Sequence, residues 1–410
     1  MKKKGCSSYI IILIIAFVAA YWIAGFSEDS QIDFPDANDT SSLYPDDSSF
    51  SDGENGQNIQ SGLTGKLGFT YYEQLSTDEK NIYNVFLEGV KNGDTSYKFN
   101  NVDCNTFEDS CFQAIRALTY DHPEYFWVAC GYSYRANTSL FGNIGSAEVQ
   151  LAQYSFWNYN MSKKQKIDEL EAAVNNVAYL ASQKGSDFEK IQFVHDYLIE
   201  NAIYDHDGLN EYYKTYHDAS CEYIFTAYGC LVNKKTVCSG YAKAFQLIME
   251  KMGYDCLYVV GYAGESHAWN MVFIEGESYY VDITWDDADF DRGETPLYDY
   301  FGITTDSLEK THTIGNEFSV PECNGNKYDY FNYTGRHLSV YDYYSAKSII
   351  ESQRYNDVIY IRFSSAYEFE RAKQDLLTNQ KIYTIEPFAT GRSCRYVAND
   401  NHYILTMFPN

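Results

Sequence analysis

Residues 236–285 constrain the fold of this chain more than any other stretch. They hold Thr236-Val237-Cys238-Ser239-Gly240-Tyr241-Ala242, then Ser266-His267-Ala268-Trp269-Asn270, then Tyr280-Val281-Asp282-Ile283-Thr284-Trp285. In order these supply a thiol, an imidazole and a carboxylate, the set needed for acyl transfer through a cysteine nucleophile: a base takes the thiol proton and an acid orients the base. A fold that uses them must bring Cys238, His267 and Asp282 together.

Local patterning shows how. After Cys238 the apolar positions Tyr241, Phe245, Ile248 and Met252 recur at three- and four-residue spacing and Gly253 follows. This predicts an amphipathic helix with Cys238 at its N-terminus, where unpaired N–H groups and the positive dipole end favour a thiolate and can hold an oxyanion. Residues 267–274 and 278–283 alternate as strands around Glu275-Gly276-Glu277. A two-residue turn at Glu275-Gly276 sets Ile274 opposite Glu277 and His267 opposite Thr284. Asp282 then shares a face with His267, one diagonal step away, whereas a one-residue slip would put the carboxylate on the other face.

These residues resemble the transglutaminase-like superfamily, whose signatures Val-Cys-x-x-Tyr-Ala, His-Ala-Trp-Asn and Asp-Pro-Thr-Trp-Asp are met here by Val237-Cys238-Ser239-Gly240-Tyr241-Ala242, His267-Ala268-Trp269-Asn270 and Asp282-Ile283-Thr284-Trp285-Asp286. Ile283 stands where proline is usual, which alters backbone stiffness and leaves the carboxylate in place. Val194-His195-Asp196-Tyr197-Leu198 through Asp205 resembles the family's helix before the nucleophile, and Tyr298-Asp299-Tyr300-Phe301 through His312 its segment after the acid. The resemblance covers about residues 160–320. It implies an α+β, papain-like core, with the Cys238 helix packed on an antiparallel sheet. It implies roles for Cys238 as nucleophile, His267 as base and Asp282 as orienter, with Tyr241, Trp269 and Trp285 around substrate and oxyanion.

Lys2, Lys3 and Lys4 precede an uncharged apolar run of 18 residues, Tyr9–Phe26, about the length of a membrane-spanning helix. Tyr21-Trp22-Ile23 occupies the place where a cleavage site would want small residues. Residues 1–26 therefore read as a basic cytoplasmic stub and an uncleaved anchor, which puts the rest of the chain outside the cell membrane. Residues 27–66 carry nine acidic residues and one lysine and read as a disordered acidic linker. Three folded units are expected beyond it: a mainly helical one at 67–161, with helices at 77–91 and 112–118; the catalytic domain at 162–335, with helices near 163–182 and 187–201; and a small α/β unit at 336–410. The last is expected to run strand 357–363, helix 366–377, strand 381–385, then strands 395–398 and 402–407, as an accessory binding domain. The stretch Asp121-His122-Pro123-Glu124-Tyr125-Phe126-Trp127 resembles one found upstream in bacterial membrane-anchored members of the family and is read as packing.

A net charge of −26 excludes nucleic acid as a partner, since no basic stripe exists to neutralise phosphates. Ten cysteines, less Cys6 inside and Cys238 as a thiol, leave an even number; Cys104/Cys111 and Cys221/Cys230 are close enough to pair in an oxidising exterior. No cofactor is expected. Asp287-Ala288-Asp289-Phe290-Asp291-Arg292-Gly293 resembles the start of a calcium loop but lacks its glycine and its closing glutamate. His195, His206 and Asp205 lack a tetrahedral ligand set. The expected function is a membrane-tethered cysteine enzyme acting on a peptide or protein substrate, cell-wall peptide included, with hydrolysis ahead of cross-linking to an amine. A binding module that keeps the fold without chemistry is the alternative from another class.

Overall fold

The computed structural model describes residues 69–409, apart from 104, 139–143, 159–161, 215–220, 288–295 and 391–393, together with Ile12–Leu13 and Thr40–Ser42. The anchor and linker readings lie outside the described residues, save those two short extended segments, which pair with strand Tyr125–Thr138. Among the described residues no helix is long and apolar enough to cross a membrane.

The first unit opens with helix α1 (Thr77–Asn92), started by a reciprocal Ser76–Glu79 capping box and stopped by Gly93 at φ 80°. Strand β1 (Ser96–Asp103), helix α2 (Phe107–Asp121) and strands β2 (Tyr125–Thr138) and β3 (Ile144–Gln153) follow. The strands form an antiparallel sheet in the order β2-β3-β1. Both expected helices are present, and the sheet is an addition to the mainly helical unit expected here. Its signal was weak because β1 (Ser96-Tyr97-Lys98-Phe99-Asn100-Asn101-Val102-Asp103) is polar and largely exposed. The 121–127 stretch packs as expected: Asp121 accepts the backbone N–H groups of Tyr71 and Tyr72 at 2.8 Å each, and buried Trp127 stacks on Trp157 at 4.2 Å.

Helices α3 (Lys163–Ser182) and α4 (Asp187–Asn201) lead to α5 (Cys238–Lys251). Helix α5, read from sequence as amphipathic, is instead buried on every side from Ser239 to Met249, because it lies at the centre of the domain. Even Lys243 and Gln246 lie inside, the first donating to the Phe225 carbonyl at 3.4 Å and the second to that of Tyr120 at 3.1 Å. Strands β4 (Cys256–Tyr262), β5 (Ser266–Ile274) and β6 (Glu277–Val281) form the middle of a five-stranded antiparallel sheet. The one-turn helix α6 (Ile283–Asp286) and strands β7 (Phe301–Ile303) and β8 (Thr313–Ile314) complete the region, with sheet order β7-β6-β5-β4-β8. Along β5, Ala268, Val272 and Ile274 join the core around α5, while Trp269, Met271 and Phe273 join a second cluster on the opposite face. The arrangement is the expected α+β core, a helix packed on an antiparallel sheet.

The last unit has its own core. Strand β9 (His337–Leu338), helix α7 (Tyr343–Ser352), strand β10 (Ile359–Phe363), helix α8 (Ala366–Ala372) and strands β11 (Arg395–Asn399) and β12 (Ile404–Phe408) make a sheet in the order β9-β10-β12-β11. One expected strand is corrected: Lys381–Thr384 is a 3-10 turn that buries Ile382. The Cys221–Cys230 bridge is also absent, because Cys230 is a buried free thiol whose pKa is pushed up to about 12 by burial. Cys104 lies outside the described residues.

Candidate active site

Cys238 is the first residue of α5 and is half-buried, with Val237 before it in extended conformation. Gly240 lies one turn in, where the helix passes close to the Ile224 and Thr226 carbonyls. The N–H groups of this first turn have no intrahelical partner by construction.

The β5–β6 hairpin has the expected register, with Glu277 opposite Ile274 and Val281 opposite Asn270. Asp282 follows the last strand residue and serves as the N-cap of α6, its Oδ1 accepting the Trp285 N–H at 3.1 Å. Its Oδ2 lies 2.7 Å from His267 Nε2. The other ring nitrogen, Nδ1, is left free of Asp282, and Cys238 is near enough to His267 to raise its pKa. His267 and Asp282 are 5% and 1% exposed. Burial disfavours a charged ring on His267, but the Asp282 carboxylate outweighs burial, and its pKa is pushed up to about 10 with Cys238 adding in the same direction. Asp282 is held well below the usual carboxylate range: burial opposes, and His267 followed by His312 overcomes it. The His267–Asp282 couple therefore favours an imidazolium beside a carboxylate.

Of the three residues expected around the substrate, Trp285 is 36% exposed and its ring lies 6.3 Å from that of His267. Trp269 is buried and stacks on His267 at 5.9 Å. Tyr241 is fully buried, its hydroxyl 2.7 Å from Asp287 Oδ2 and 3.1 Å from the Ala202 carbonyl, so it braces α5 from behind.

Two histidines escaped the sequence reading as site residues, although both lie in segments it singled out. His312 Nε2 is 3.0 Å from the same Asp282 Oδ2 that His267 contacts. His195, wholly buried on α4, sits between Asp196 (Nδ1 to Oδ1, 2.9 Å) and Asp286 (Nε2 to Oδ2, 3.2 Å). Burial disfavours its charged form, but hydrogen bonds to the two carboxylates outweigh it and push its pKa up to about 9. Asp286 closes α6 as Asp282 opens it, so a single helical turn carries two buried His–Asp couples. One aims the base. The other ties α4 to the same turn. His312 stands 30 residues beyond Asp282, where no local pattern could point to it.

The ligand-capable atoms of His267, Asp282 and His312 lie within 4.8 Å of one another, the one such grouping among the described residues. Both Nε2 atoms stand at hydrogen-bond distance from one carboxylate oxygen. Most of the calcium-like run, residues 288–295, lies outside the described residues.

Residues 174–285 match the model of the transglutaminase-like superfamily. Among curated proteins, the kyphoscoliosis peptidase of Mus musculus is 29% identical over 122 residues, 27% of this chain and 17% of that protein. The kyphoscoliosis peptidase of Homo sapiens is 26% identical over 159 residues, 35% of this chain and 22% of that one. The matched region thus spans about a fifth of the length of these relatives. A solved TGase structure is 17% identical, covering 40% of this chain and 46% of its own, with a TM-score of 0.29.

Proposed function

From residues 174–285, which belong to the transglutaminase-like superfamily, we propose that this chain is a cysteine enzyme that cleaves a peptide or carboxamide bond through a thioester on Cys238. The observation that supports it is the Cys238–His267–Asp282 alignment, a half-buried thiol at a helix N-terminus joined to a buried His–Asp couple. In this mechanism Cys238 Sγ attacks the carbonyl carbon, and N–H groups of the first turn of α5 hold the oxyanion. His267 hands its Nδ1 proton to the leaving nitrogen, so the C–N bond breaks as an amine departs. Water then enters, gives a proton to His267 and attacks the thioester, releasing an acid and restoring the thiol. Asp282 holds the ring by Nε2 throughout. Hydrolysis is favoured over cross-linking because nothing in the sequence identifies an amine-acceptor site. The Lys2–Lys4 stub and the apolar run that follows support a membrane-tethered enzyme whose peptide or protein substrate lies outside the membrane.

The test is alkylation of Cys238 by iodoacetamide across pH in the full chain, alongside His267→Ala. Rapid labelling at about pH 6.5, below the range of an ordinary thiol, and its loss in the variant are expected. Labelling indifferent to His267 would instead leave a binding module with this fold.

A further inference from the structure

We propose that His312 is a positioning residue for the Asp282–His267 couple, held in place by Thr311 and Tyr300 and braced from behind by the C-terminal unit. The inference rests on the reading of Cys238, His267 and Asp282 given above.

Hydrogen bonds hold His312 at both ring nitrogens. The Tyr300 hydroxyl donates to Thr311 Oγ1 at 3.1 Å. Thr311 Oγ1 lies 2.8 Å from His312 Nδ1, and His312 Nε2 lies 3.0 Å from Asp282 Oδ2. An ionised carboxylate only accepts, so Nε2 carries the proton that faces Asp282. Nδ1 is held by Thr311 Oγ1, which also receives the Tyr300 proton and reaches the Leu308 carbonyl at 3.3 Å. Partners at both nitrogens fix the orientation of the His312 ring in the way a second partner fixes a metal-bound or catalytic imidazole. The ring cannot turn away. It is walled by Trp285 at 4.6 Å, Trp269 at 5.1 Å and Tyr300 at 5.2 Å, and it is buried.

The consequence falls on Asp282. Its Oδ1 is pinned by the Trp285 N–H and its Oδ2 by two imidazoles. With His312 removed, Oδ2 keeps one donor, and the carboxylate can swing about its Cβ–Cγ bond away from the line of the His267 ring. A base aimed through hydrogen bonds loses its effect when its orienter is free to move.

The C-terminal unit closes the back of this network. The His402 ring meets Tyr300 edge-on at 4.8 Å, and His402 Nε2 donates to the Ser307 carbonyl at 2.9 Å. Asn399 Nδ2 donates to Asp299 Oδ2 at 2.7 Å. These contacts fix residues 299–312, the segment that presents both Tyr300 and His312. The unit read from sequence as a binding accessory is thus assigned a part in shaping the active site.

The experiment follows iodoacetamide labelling of Cys238 in the full chain from about pH 5 to 9, a range that brackets the activated and the ordinary thiol, for wild type, His312→Ala, His312→Gln and Thr311→Val. In His312→Ala the acid limb of the profile is expected to move up by about one unit, so that labelling at about pH 6.5 slows roughly tenfold, while the rate at high pH, where any thiol is ionised, stays that of the wild type. His312→Gln, whose amide N–H can reach Asp282, is expected to recover most of the loss. Thr311→Val, which exchanges one hydroxyl for a methyl, is expected to move the limb the same way by less, and it decides the matter if His312→Ala fails to fold. A wild-type profile in His312→Ala, or in Thr311→Val should the first not fold, overturns the proposal. Failure of the underlying reading looks different, because the wild-type profile would then be indifferent to His267→Ala.

Discussion

Position 240 shows how closely the Cys238 helix is fitted to its surroundings. A Cβ built on Gly240 would stand 2.6 Å from the Ile224 carbonyl oxygen and 2.9 Å from that of Thr226, and would collide with Thr236 Oγ1. Backbone oxygens cannot yield as the end of a flexible side chain can, so the first turn of α5 would have to shift instead. Gly240→Ala is therefore expected to destabilise the protein by about 1–3 kcal/mol, the range for overpacking a filled interior, measured by urea denaturation. It should also slow Cys238 labelling, because the displaced turn carries the thiol two residues away. A variant as stable and as reactive as the wild type would show that the turn is not held by this contact.

At the level of elements, the single turn of α6 does the work of a bracket, with Asp282 on the hairpin side and Asp286 against α4. The His195–Asp286 couple makes a prediction about stability and pH. The ring is bonded on both nitrogens to carboxylates, and its pKa rises from an unfolded value of about 6.5 to about 9. A basic group with a raised folded pKa contributes stability that is fully present below its unfolded pKa and is lost as pH rises through the folded one. His195→Gln should thus lower the urea midpoint at pH 6 and flatten its decline between about pH 7 and 9.5, leaving the similar contribution of His267. The difference at low pH should be on the order of 2–3 kcal/mol. A decline parallel to that of the wild type would mean that His195 does not titrate there. The same elements show what could be read in advance. The hairpin register was legible because strand side chains alternate with a period of two and Glu275-Gly276 allows a tight turn, with positive φ at both residues. The strand was expected to run on through Ile283, but Asp282 turns the chain into a helix by capping it. Ile382 and Ile385, read as part of a strand, are both buried and lie three apart, a spacing that a 3-10 turn also serves. His312 was beyond reach because its meaning depends on a contact made across 30 residues by an irregular segment.

Across the whole molecule the largest hydrophobic core runs through all three units. The first unit shares one hydrophobic core with α3, α4 and α5, and its Tyr71 hydroxyl reaches the Tyr258 carbonyl of β4 at 2.7 Å. The last unit buries a cluster of its own, lends Val358, Tyr360, Ile404 and Phe408 to the larger core, and adds specific polar contacts to the rest. Chief among them is Arg362, whose two terminal nitrogens each lie 2.6 Å from one oxygen of Asp329, with the two side chains 16% and 7% exposed. The Tyr360 hydroxyl adds a bond to the Pro296 carbonyl at 2.6 Å. Removing one partner of a largely desolvated, bidentate pair leaves the other charge uncompensated, a loss of about 3 kcal/mol. Because that pair joins two cores, Arg362→Ala is expected to uncouple them as well as weaken them. Four of the five tryptophans lie in the first two units and the fifth is Trp22, so tryptophan fluorescence does not follow the last unit while far-ultraviolet circular dichroism follows the whole chain. In Arg362→Ala the circular dichroism should therefore begin to fall at lower urea than the fluorescence, with the gap absent or smaller in the wild type. Coincident transitions in the variant would mean that the apolar contacts around Tyr298, Tyr330 and Tyr360 hold the units together without the ion pair. If the gap opens and Cys238 labelling slows in the same variant, the C-terminal unit acts on the active site through the segment it braces.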